Sequence, residues 1–380
     1  MKKLLAMLLT AGMMTVGFSS AAMAEEVELD PNDLMTYFAQ IEPLEETVHL
    51  NIGTDPGIYH NFYTYLAYKM GGLEMVGIDA TLIPTSSGPI QVEAMASGDI
   101  DCGGYGIGGI LMGSVRESTE LLAIRMNEAI VQKYFVKEDS PVAQAGINEF
   151  GFYGDADSWK DVEVYLPSGT TLQYLLGTAM GKLGMSLDDM NTVFTEAPNI
   201  FTVMASGQGS AWGLWNMTAY DPFMPENGYV EAINGVTAGI YLPAATTVSR
   251  AALEDPVKKE AMMKWFACEQ AVIRWIQASE ENLMSAIDYM YEWCEDEGVV
   301  CTYEVIENYL KDAEPFTLEE NYRIFTEKGE SGHYLAAEML EAPMDYFVGN
   351  GNYTEDDYEA LYDDSNYNQE FLEYALSIFG

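Results

Sequence analysis

Apolar and polar positions follow two patterns along the chain. Up to about residue 250, short apolar runs typical of strands alternate with segments whose apolar residues recur every three or four positions, as on a helix. Because strands and helices alternate, we expect parallel strands joined by right-handed crossovers in an α/β fold. In the first round, strands are predicted at 48–53, 80–84, 100–102 and 121–125, and helices at 59–70, 90–97 and from a glycine-rich turn to about 115.

A second round of the same alternation follows a polar, glycine-bearing stretch at 137–157. From about Asp255 the chain changes to long amphipathic helices, of which 257–279 is the clearest. We therefore predict two lobes joined by two crossing segments, near residues 136 and 241. In the second round, strands are predicted at 161–166, near 193 and at 211–215, and helices at 171–183 and 199–206, and the round closes near 239–243. Lobe 1 comprises 47–136 and 241–380, including the C-terminal helices, lobe 2 comprises 137–240, and 25–46 is a leader segment on the surface.

The first residues have the pattern of an export signal. Lys2 and Lys3 precede an apolar run, and Ala22-Met23-Ala24 forms a small-x-small cleavage site. We predict a cleavable signal peptide at 1–24; the alternative is an uncleaved anchor, since this stretch is almost long enough to cross a bilayer. No cysteine for lipid attachment lies near the cleavage site. The expected product is a water-soluble protein that is periplasmic or secreted.

Acidic residues strongly outnumber basic ones. The sequence has 60 Asp and Glu against 17 Lys and Arg, a formal net charge of −43. Binding to nucleic acid or to an anionic membrane surface needs basic residues that face the phosphates. Both partners are therefore excluded, and we expect a monomer whose charge keeps it dispersed in water.

The four cysteines do not form a metal motif. Cys102, Cys268, Cys294 and Cys301 include no C-x-x-C pair, and only three histidines accompany them. We therefore expect neither a metal nor a cofactor. In an oxidising compartment Cys294 and Cys301 could pair across a helix end, and the alternative of two half-buried thiols stays open.

No motif predicts an enzyme. GYGIGG at 104–109 matches G-x-G-x-x-G, but a single match among 34 glycines, after a very short strand, is a weak signal for a dinucleotide site. The sequence has no G-x-S-x-G elbow and no H-E-x-x-H pair. Catalytic residues are accordingly not predicted.

Polar helix caps and aromatic rings instead predict a binding cleft. PSGTT (167–171) and TSSGP (85–89) each stand between a predicted strand and a helix, where free N–H groups attract a polar ligand atom. Plain helix caps are the competing interpretation. Aromatic side chains near the same strand ends could enclose an organic ligand, although a core position competes for each of them.

Three segments resemble a known family. VEAMASGDIDCGGYG (92–106), VEVYLPSGTTLQYLLGTAMGKLGMSLDDMNTVF (162–194) and MASGQGSAWGLWNMTAYDP (204–222) are similar, in order and spacing, to the bacterial solute-binding proteins of nitrate, sulfonate and taurine importers. The resemblance implies a type II periplasmic-binding-protein fold, in which two α/β lobes with mainly parallel sheets close on a ligand and present it to an ABC permease. The C-terminal helical extension is longer than the family pattern needs.

By position, the resemblance implies binding loops at 54–59, 86–88, 103–106, 168–171 and 215–216. Together with the caps and rings, these loops give the candidate ligand-binding residues Thr54, Asp55, Tyr59, Ser86, Ser87, Gly104, Tyr105, Ser168, Gly169, Thr170, Thr171, Trp215, Asn216 and Tyr241.

The class of the ligand stays open at this point. The five loops contain no Lys or Arg, and Asp55 places an acid in the first of them. A sulfonate, taurine or nitrate-like solute and a neutral or amine-bearing heterocycle such as a pyrimidine are both compatible with the resemblance. An enzyme of pyrimidine-precursor synthesis on the same fold and a sensory receptor are the alternative functions.

Overall fold

A computed structural model describes residues 28–55, 59–312 and 315–380, with the backbone alone at 59, 60 and 312. The predicted signal peptide at 1–24 lies outside the described residues. The strands are β1 (Val48–Thr54), β2 (Ile78–Pro84), β3 (Cys102–Gly106), β4 (Thr119–Asn127), β5 (Gln132–Lys137), β6 (Glu163–Leu166), β7 (Asn191–Phe194), β8 (Ala211–Trp215), β9 (Tyr229–Asn234) and β10 (Pro243–Ser249).

The helices are α1 (Leu34–Phe38), α2 (Tyr59–Lys69), α3 (Gly72–Met75), α4 (Gly88–Ser97), α5 (Ile107–Val115), α6 (Pro141–Gln144), α7 (Ala156–Trp159), α8 (Thr171–Lys182), α9 (Ala197–Ala205), α10 (Phe223–Glu226), α11 (Arg250–Leu253), α12 (Pro256–Ala278), α13 (Glu280–Asp296), α14 (Tyr303–Asp312), α15 (Leu318–Thr326), α16 (Leu335–Glu338), α17 (Glu341–Gly349), α18 (Asp357–Leu361) and α19 (Glu370–Phe379). Short 3-10 turns lie at Glu128–Ile130, Leu187–Asp189, Asn216–Tyr220 and Asp364–Asn366.

The first sheet has the strand order β2-β1-β3-β10-β4. Strands β1, β2 and β3 run parallel, and β10 runs antiparallel to both β3 and β4. Four strands therefore share one direction and one opposes them, so the sheet is mixed but mainly parallel. Strand β10 was missed by the sequence pattern because PAATTVS has small residues and threonines without alternation, although every position in it is buried.

The second sheet repeats this arrangement in the order β7-β6-β8-β5-β9. Strands β6, β7 and β8 run parallel, while β5 runs antiparallel to β8 and β9. Each sheet thus begins with a parallel unit and is completed by a strand that enters from the other lobe. This shared order gives the two lobes the same topology.

The predicted position of the first crossing is wrong by several residues. We predicted it near residue 136, but β5 pairs with β8 and β9, so residues 132–137 belong to the second sheet. The chain leaves the first sheet after Asn127 and enters the second at Gln132. The second connection runs from 235 to 242, between β9 and β10.

The C-terminal helices cover the first sheet and also reach the second lobe. Helix α12 begins at Pro256 after Asp255, whose carboxylate accepts hydrogen bonds from the backbone N–H groups of Val257 and Lys258. It packs on α2, on β1 and on the short leader helix α1. Helices α15 and α19 pack against β4, whereas α14 contacts the 3-10 turn at Asn216–Tyr220 and α17 packs against α8.

The four cysteines carry free thiols. Cys102, Cys268 and Cys294 are buried, and Cys301 is half-buried. The thiols of Cys294 and Cys301 interact with each other, and this contact raises the pKa of Cys294. No helix within the described ranges has both the length and the apolar composition that crossing a bilayer requires.

Candidate functional site

A cleft lies between the two sheets, at the ends of their strands. One part of it, named here the inner cavity, has a volume of about 40 Å³, and the wider part beside it, named the outer cavity, has a volume of about 590 Å³. Ligands of open α/β sheets bind at the carboxyl ends of the strands, which is where this cleft lies. The inner cavity is lined by Asp55, Thr85, Ser87, Gly88, Pro89, Gln91, Gly104, Tyr105, Gly106, Gly108, Gly109, Glu128, Gln132, Thr170, Thr171, Trp215 and Asn216.

The structure brings many of the predicted residues together in this cleft. Both lobes contribute, so the inner cavity is a shared crevice rather than a pocket of one lobe. The predicted residues that line the inner cavity are Asp55, Ser87, Gly104, Tyr105, Thr170, Thr171, Trp215 and Asn216. Ser86 lines the outer cavity, which also includes Asp55, Trp215 and Asn216.

Other predicted residues line neither cavity. Thr54 is buried at the end of β1, where its carbonyl accepts from the Thr85 backbone N–H over 2.7 Å. Ser168 is exposed. Tyr241, in the second connection, has a buried hydroxyl without a hydrogen-bond partner. The backbone carbonyl of Gly169 lies against Gly108 of the first lobe. The side chain of Tyr59 lies outside the described residues.

Tyr105 takes the core position that the sequence analysis left open as the alternative to a ligand contact. We expected GYG at 104–106 to be a turn, but these residues form the second half of β3. The Tyr105 ring is 2% exposed, and its hydroxyl hydrogen-bonds Thr119 Oγ1 over 3.0 Å. Burial raises the pKa of Tyr105 to about 12. The ring therefore forms a wall of the cavity and is largely a core side chain.

Three helices begin at the inner cavity. The N-cap residues Ser87 of α4, Gly106 of α5 and Thr170 of α8 make no side-chain capping bond. The hydroxyl of Thr170 instead donates to the Pro167 carbonyl over 2.9 Å. The first N–H groups of a helix have no partner within it and carry a partial positive charge. The inner cavity is thus a place where polar groups of a ligand can meet backbone donors.

The two lobes touch at Gly108 and Gly169. Gly108 lies in the first turn of α5, and Gly169 precedes the N-cap of α8 with a φ of 68°. A Cβ placed on Gly108 would collide with the carbonyl oxygen of Gly169. A side chain at position 108 would therefore hold the lobes further apart, and glycine permits the close approach that is seen.

Two carboxyl groups face the inner cavity. Asp55 follows β1, and Glu128 lies in the first connection between the lobes. Loss of hydration in the cleft raises the pKa of Asp55 well above its usual value, and the nearby charge of Glu128 raises it further. A Cβ on Gly106 would lie 2.7 Å from Glu128 Oε2 and 2.7 Å from Thr171 Oγ1, so both groups face the start of α5.

Three amide side chains in the cavity wall have oxygens without partners. Gln91, Gln132 and Asn216 are 1%, 2% and 4% exposed, and Oε1 of both glutamines and Oδ1 of Asn216 accept no hydrogen bond. Gln132 donates through Nε2 to Glu128 over 3.4 Å, and Gln91 donates through Nε2 to Thr85 over 3.1 Å. Buried polar atoms without partners are rare in proteins, and their grouping around one cavity indicates a place for a ligand.

Asn216 is held in an uncommon backbone conformation. Its φ is 55°, and its N–H donates to the Val131 carbonyl over 3.0 Å. Asn tolerates the left-handed region better than most residues, and such strain recurs at ligand sites. The side chain is thereby fixed at the boundary of both cavities.

Sequence reasoning missed Gln91, Glu128 and Gln132. Gln91 lies in the first turns of α4 and was taken for an ordinary helix residue. Glu128 begins the first connection, directly after β4, and Gln132 is the first residue of β5. The incorrect crossing near 136 placed residues 128 and 132 in the last part of lobe 1, before the connection. A correct assignment of β5 to the second sheet would have directed attention to them.

No lysine or arginine lines either cavity among the described residues. Arg125 is 2% exposed and forms a buried ion pair with Glu269 of α12. The outer cavity adds the acids Asp221 and Glu297. In the part of the chain that the structure describes, no three His, Cys, Asp or Glu side chains group as a metal site would need.

The fold is similar to that of periplasmic solute-binding proteins of known structure. The alkanesulfonate-binding protein SsuA from Xanthomonas axonopodis pv. citri, solved with MOPS bound, gives a TM-score of 0.60 at 16% identity, over 81% of this chain and 95% of that one. The periplasmic nitrate-binding protein NrtA from Synechocystis PCC 6803 gives 0.61 at 14% identity, over 87% and 89%. At these identities the likeness shows the fold, and it confirms the predicted type II periplasmic-binding-protein architecture with C-terminal helices.

Sequence similarity to curated proteins is more limited. A protein of Brucella abortus (strain 2308), provisionally named a binding protein, is 28% identical over 172 residues, which is 45% of this chain. The match covers 49% of that relative, so the chain spans about half the length of the curated relatives it matches. No protein-family model matches the chain. The comparisons therefore give the fold and leave the solute to be inferred from the cleft.

Proposed function

We propose that this chain is an extracytoplasmic solute-binding protein, which captures a small organic solute between its lobes and delivers it to the permease of an ABC importer. The structural neighbours that bind alkanesulfonate and nitrate support this class of function. The predicted signal peptide supports a periplasmic or secreted location. The enzyme alternative is disfavoured because the structural neighbours are binding proteins, and because burial raises the pKa of the Cys102 thiol well above its usual value.

The observation that carries the proposal is an inner cavity lined by residues of both lobes, with Glu128 of the first connection in its wall. In the two connections the Glu128 N–H donates to the Leu242 carbonyl over 2.7 Å, and the Gly235 N–H donates to the Ala129 carbonyl over 2.8 Å. Two short paired segments allow the lobes to rotate about them while each sheet stays intact. A solute held by both lobes would stabilise the closed arrangement that a permease recognises.

The proposal predicts that a small solute stabilises the purified protein. A broad panel of metabolites is screened by thermal unfolding, because a ligand that binds only the folded form must raise the melting temperature. We expect one chemical class to raise it by several degrees and to reduce the radius of gyration in small-angle X-ray scattering.

Trp215 lines both cavities. Trp215→Leu should therefore raise, at least tenfold, the ligand concentration needed for the same increase in melting temperature. Phe194→Leu is the matched control, as an aromatic residue of the second lobe that is 51% exposed. A panel in which no compound raises the melting temperature would contradict solute capture. Delivery is tested separately, by uptake into membrane vesicles that contain a candidate ABC permease and its ATPase.

A further inference from the structure

We propose, on the basis of the function proposed above, that the solute is a small organic nitrogen base that carries a positive charge and several N–H groups. Its N–H groups would donate to the carboxylates of Asp55 and Glu128 and to the amide oxygens of Gln132 and Asn216. This assigns the cleft to a class of ligand opposite in charge to nitrate and sulfonate.

The unpartnered amide oxygens require donors from a ligand. The orientation of the Gln132 amide follows from its neighbour, because a carboxylate such as that of Glu128 can only accept, so Nε2 faces it and Oε1 remains free. The orientation of Gln91 follows in the same way: the Thr85 hydroxyl donates to the Thr54 carbonyl, so it accepts from Gln91 Nε2. These amide side chains therefore present free acceptors to the cavity, and the partners that they need are hydrogen-bond donors.

The charges in the inner cavity oppose an anion. Each helix N-terminus contributes about half a positive charge, so the three that begin here do not exceed the charge of Asp55 and Glu128 when a bound cation holds both carboxyl groups in the ionised form. The start of α5 already faces Glu128 and the carbonyl of Gly169. The charge of Arg125 is already neutralised in a buried ion pair with Glu269 of α12, so it does not supply the charge that nitrate or sulfonate would need.

The cavity wall also suits an organic cation rather than a bare ion. Trp215 lines both cavities and is half-buried, so its ring can cover the flat or apolar part of a ligand. A cation over an aromatic face is attracted by the ring. A bare metal ion would instead need several oxygen ligands at once, and no group of three such side chains is found in the described ranges.

The test uses a set of compounds on one ring that differ in charge. Benzamidine, benzamide and benzenesulfonate are titrated into the purified protein by calorimetry, together with nitrate and a wider set of amines and guanidines. We expect benzamidine, or another base of the set, to bind at least tenfold more tightly than every neutral or anionic probe. Tighter binding of benzenesulfonate or nitrate would overturn the assignment of a base and leave solute capture intact.

The variants test the carboxylate contacts directly. Glu128→Gln should weaken binding of the preferred base at least tenfold, because it removes one charge from the inner cavity and keeps the shape of the side chain. Glu93→Gln is the control, since it removes the same charge from an exposed position of α4. Equal affinities in the two variants would overturn the proposed contact. If none of the bases binds while another solute raises the melting temperature, the ligand class fails alone; if nothing binds at all, the proposed function fails with it.

Discussion

Asp55 makes the stability of the free protein depend on pH. Burial and the charge of Glu128 raise its pKa in the folded state, so between the unfolded and the folded pKa the folded protein binds more protons than the unfolded one. The free energy of unfolding therefore falls as pH rises through that range, by about 1.4 kcal/mol for each unit by which the pKa is raised. The ionised carboxylate of Asp55 thus lowers the free energy of unfolding of the ligand-free protein, and a cationic ligand would offset this loss.

Replacement of Asp55 by Asn should remove this cost. We expect Asp55→Asn to unfold at a higher temperature than the parent protein at pH 7, by on the order of 2 °C for each kcal/mol, with the difference vanishing towards pH 4. Differential scanning calorimetry at several pH values measures it. Asp139→Asn, in an exposed turn, is the control. A difference that stays constant across this pH range would show that the raised pKa is not its source.

The same residues show how far sequence could predict the site. Trp215 and Asn216 were predicted from their place at a strand end, since strand ends meet at one edge of an α/β sheet, and the family resemblance added Asp55. Glu128 and Gln132 were not predicted because their position depends on which sheet β5 joins. Strand β5 joins the second sheet by pairing with residues that are distant in sequence. The local pattern of apolar and polar residues does not show which distant strands pair.

At the scale of elements, the approach of α5 to the N-cap of α8 limits how far the lobes close. Gly108→Ala places a Cβ against the carbonyl oxygen of Gly169, so the lobes should stop short of the closed arrangement. We expect at least a tenfold loss of solute affinity without loss of thermal stability, because Ala is the better helix former by about 1 kcal/mol. Titration calorimetry and thermal unfolding measure the two effects.

Gly181→Ala in α8 is the matched control, since a Cβ there meets no atom within 4 Å. It should raise stability slightly and leave the affinity unchanged. Unchanged affinity in Gly108→Ala would mean that the bound form does not bring α5 against Gly169.

The elements themselves were predicted unevenly. Helices α2, α8 and α12 have long regular apolar spacing and were predicted to within three residues of their ends. Strand β10 was missed because a central strand buried on both faces needs no alternation, and its small residues give no strong apolar run. The GYG segment was taken for a turn because glycine usually marks one, whereas here glycines in β3 leave room for packed side chains on both faces.

At the scale of the whole molecule, the C-terminal helices join the lobes at two places away from the two connections. In α14, Tyr309 packs edge-on against Tyr220 of the second lobe, with ring centroids 6.0 Å apart. In α17, Tyr346 packs against Tyr174 of α8 at 5.5 Å. Both contacts link helices that follow the first sheet to the second lobe. Opening of the cleft must break or stretch them, so they favour the closed arrangement.

Removal of one contact should therefore shift the free protein towards open forms. We expect Tyr346→Ala to increase the radius of gyration of the ligand-free protein in small-angle X-ray scattering. It should also speed solute dissociation several-fold in stopped-flow measurements, because the closed arrangement then has one fewer contact between the lobes to stabilise it. Association should change less, since the cavity lining is unaltered.

Tyr362→Ala separates this effect from a general loosening of the C-terminal region. Tyr362 is also half-buried there, but its ring stacks on His333 at 3.9 Å, within the C-terminal region itself. Its loss should lower thermal stability without changing the dissociation rate. If both variants speed dissociation equally, the C-terminal helices act only by supporting the first lobe. If Tyr346→Ala alone does so, closure of the cleft is governed by contacts that lie outside the two connecting segments.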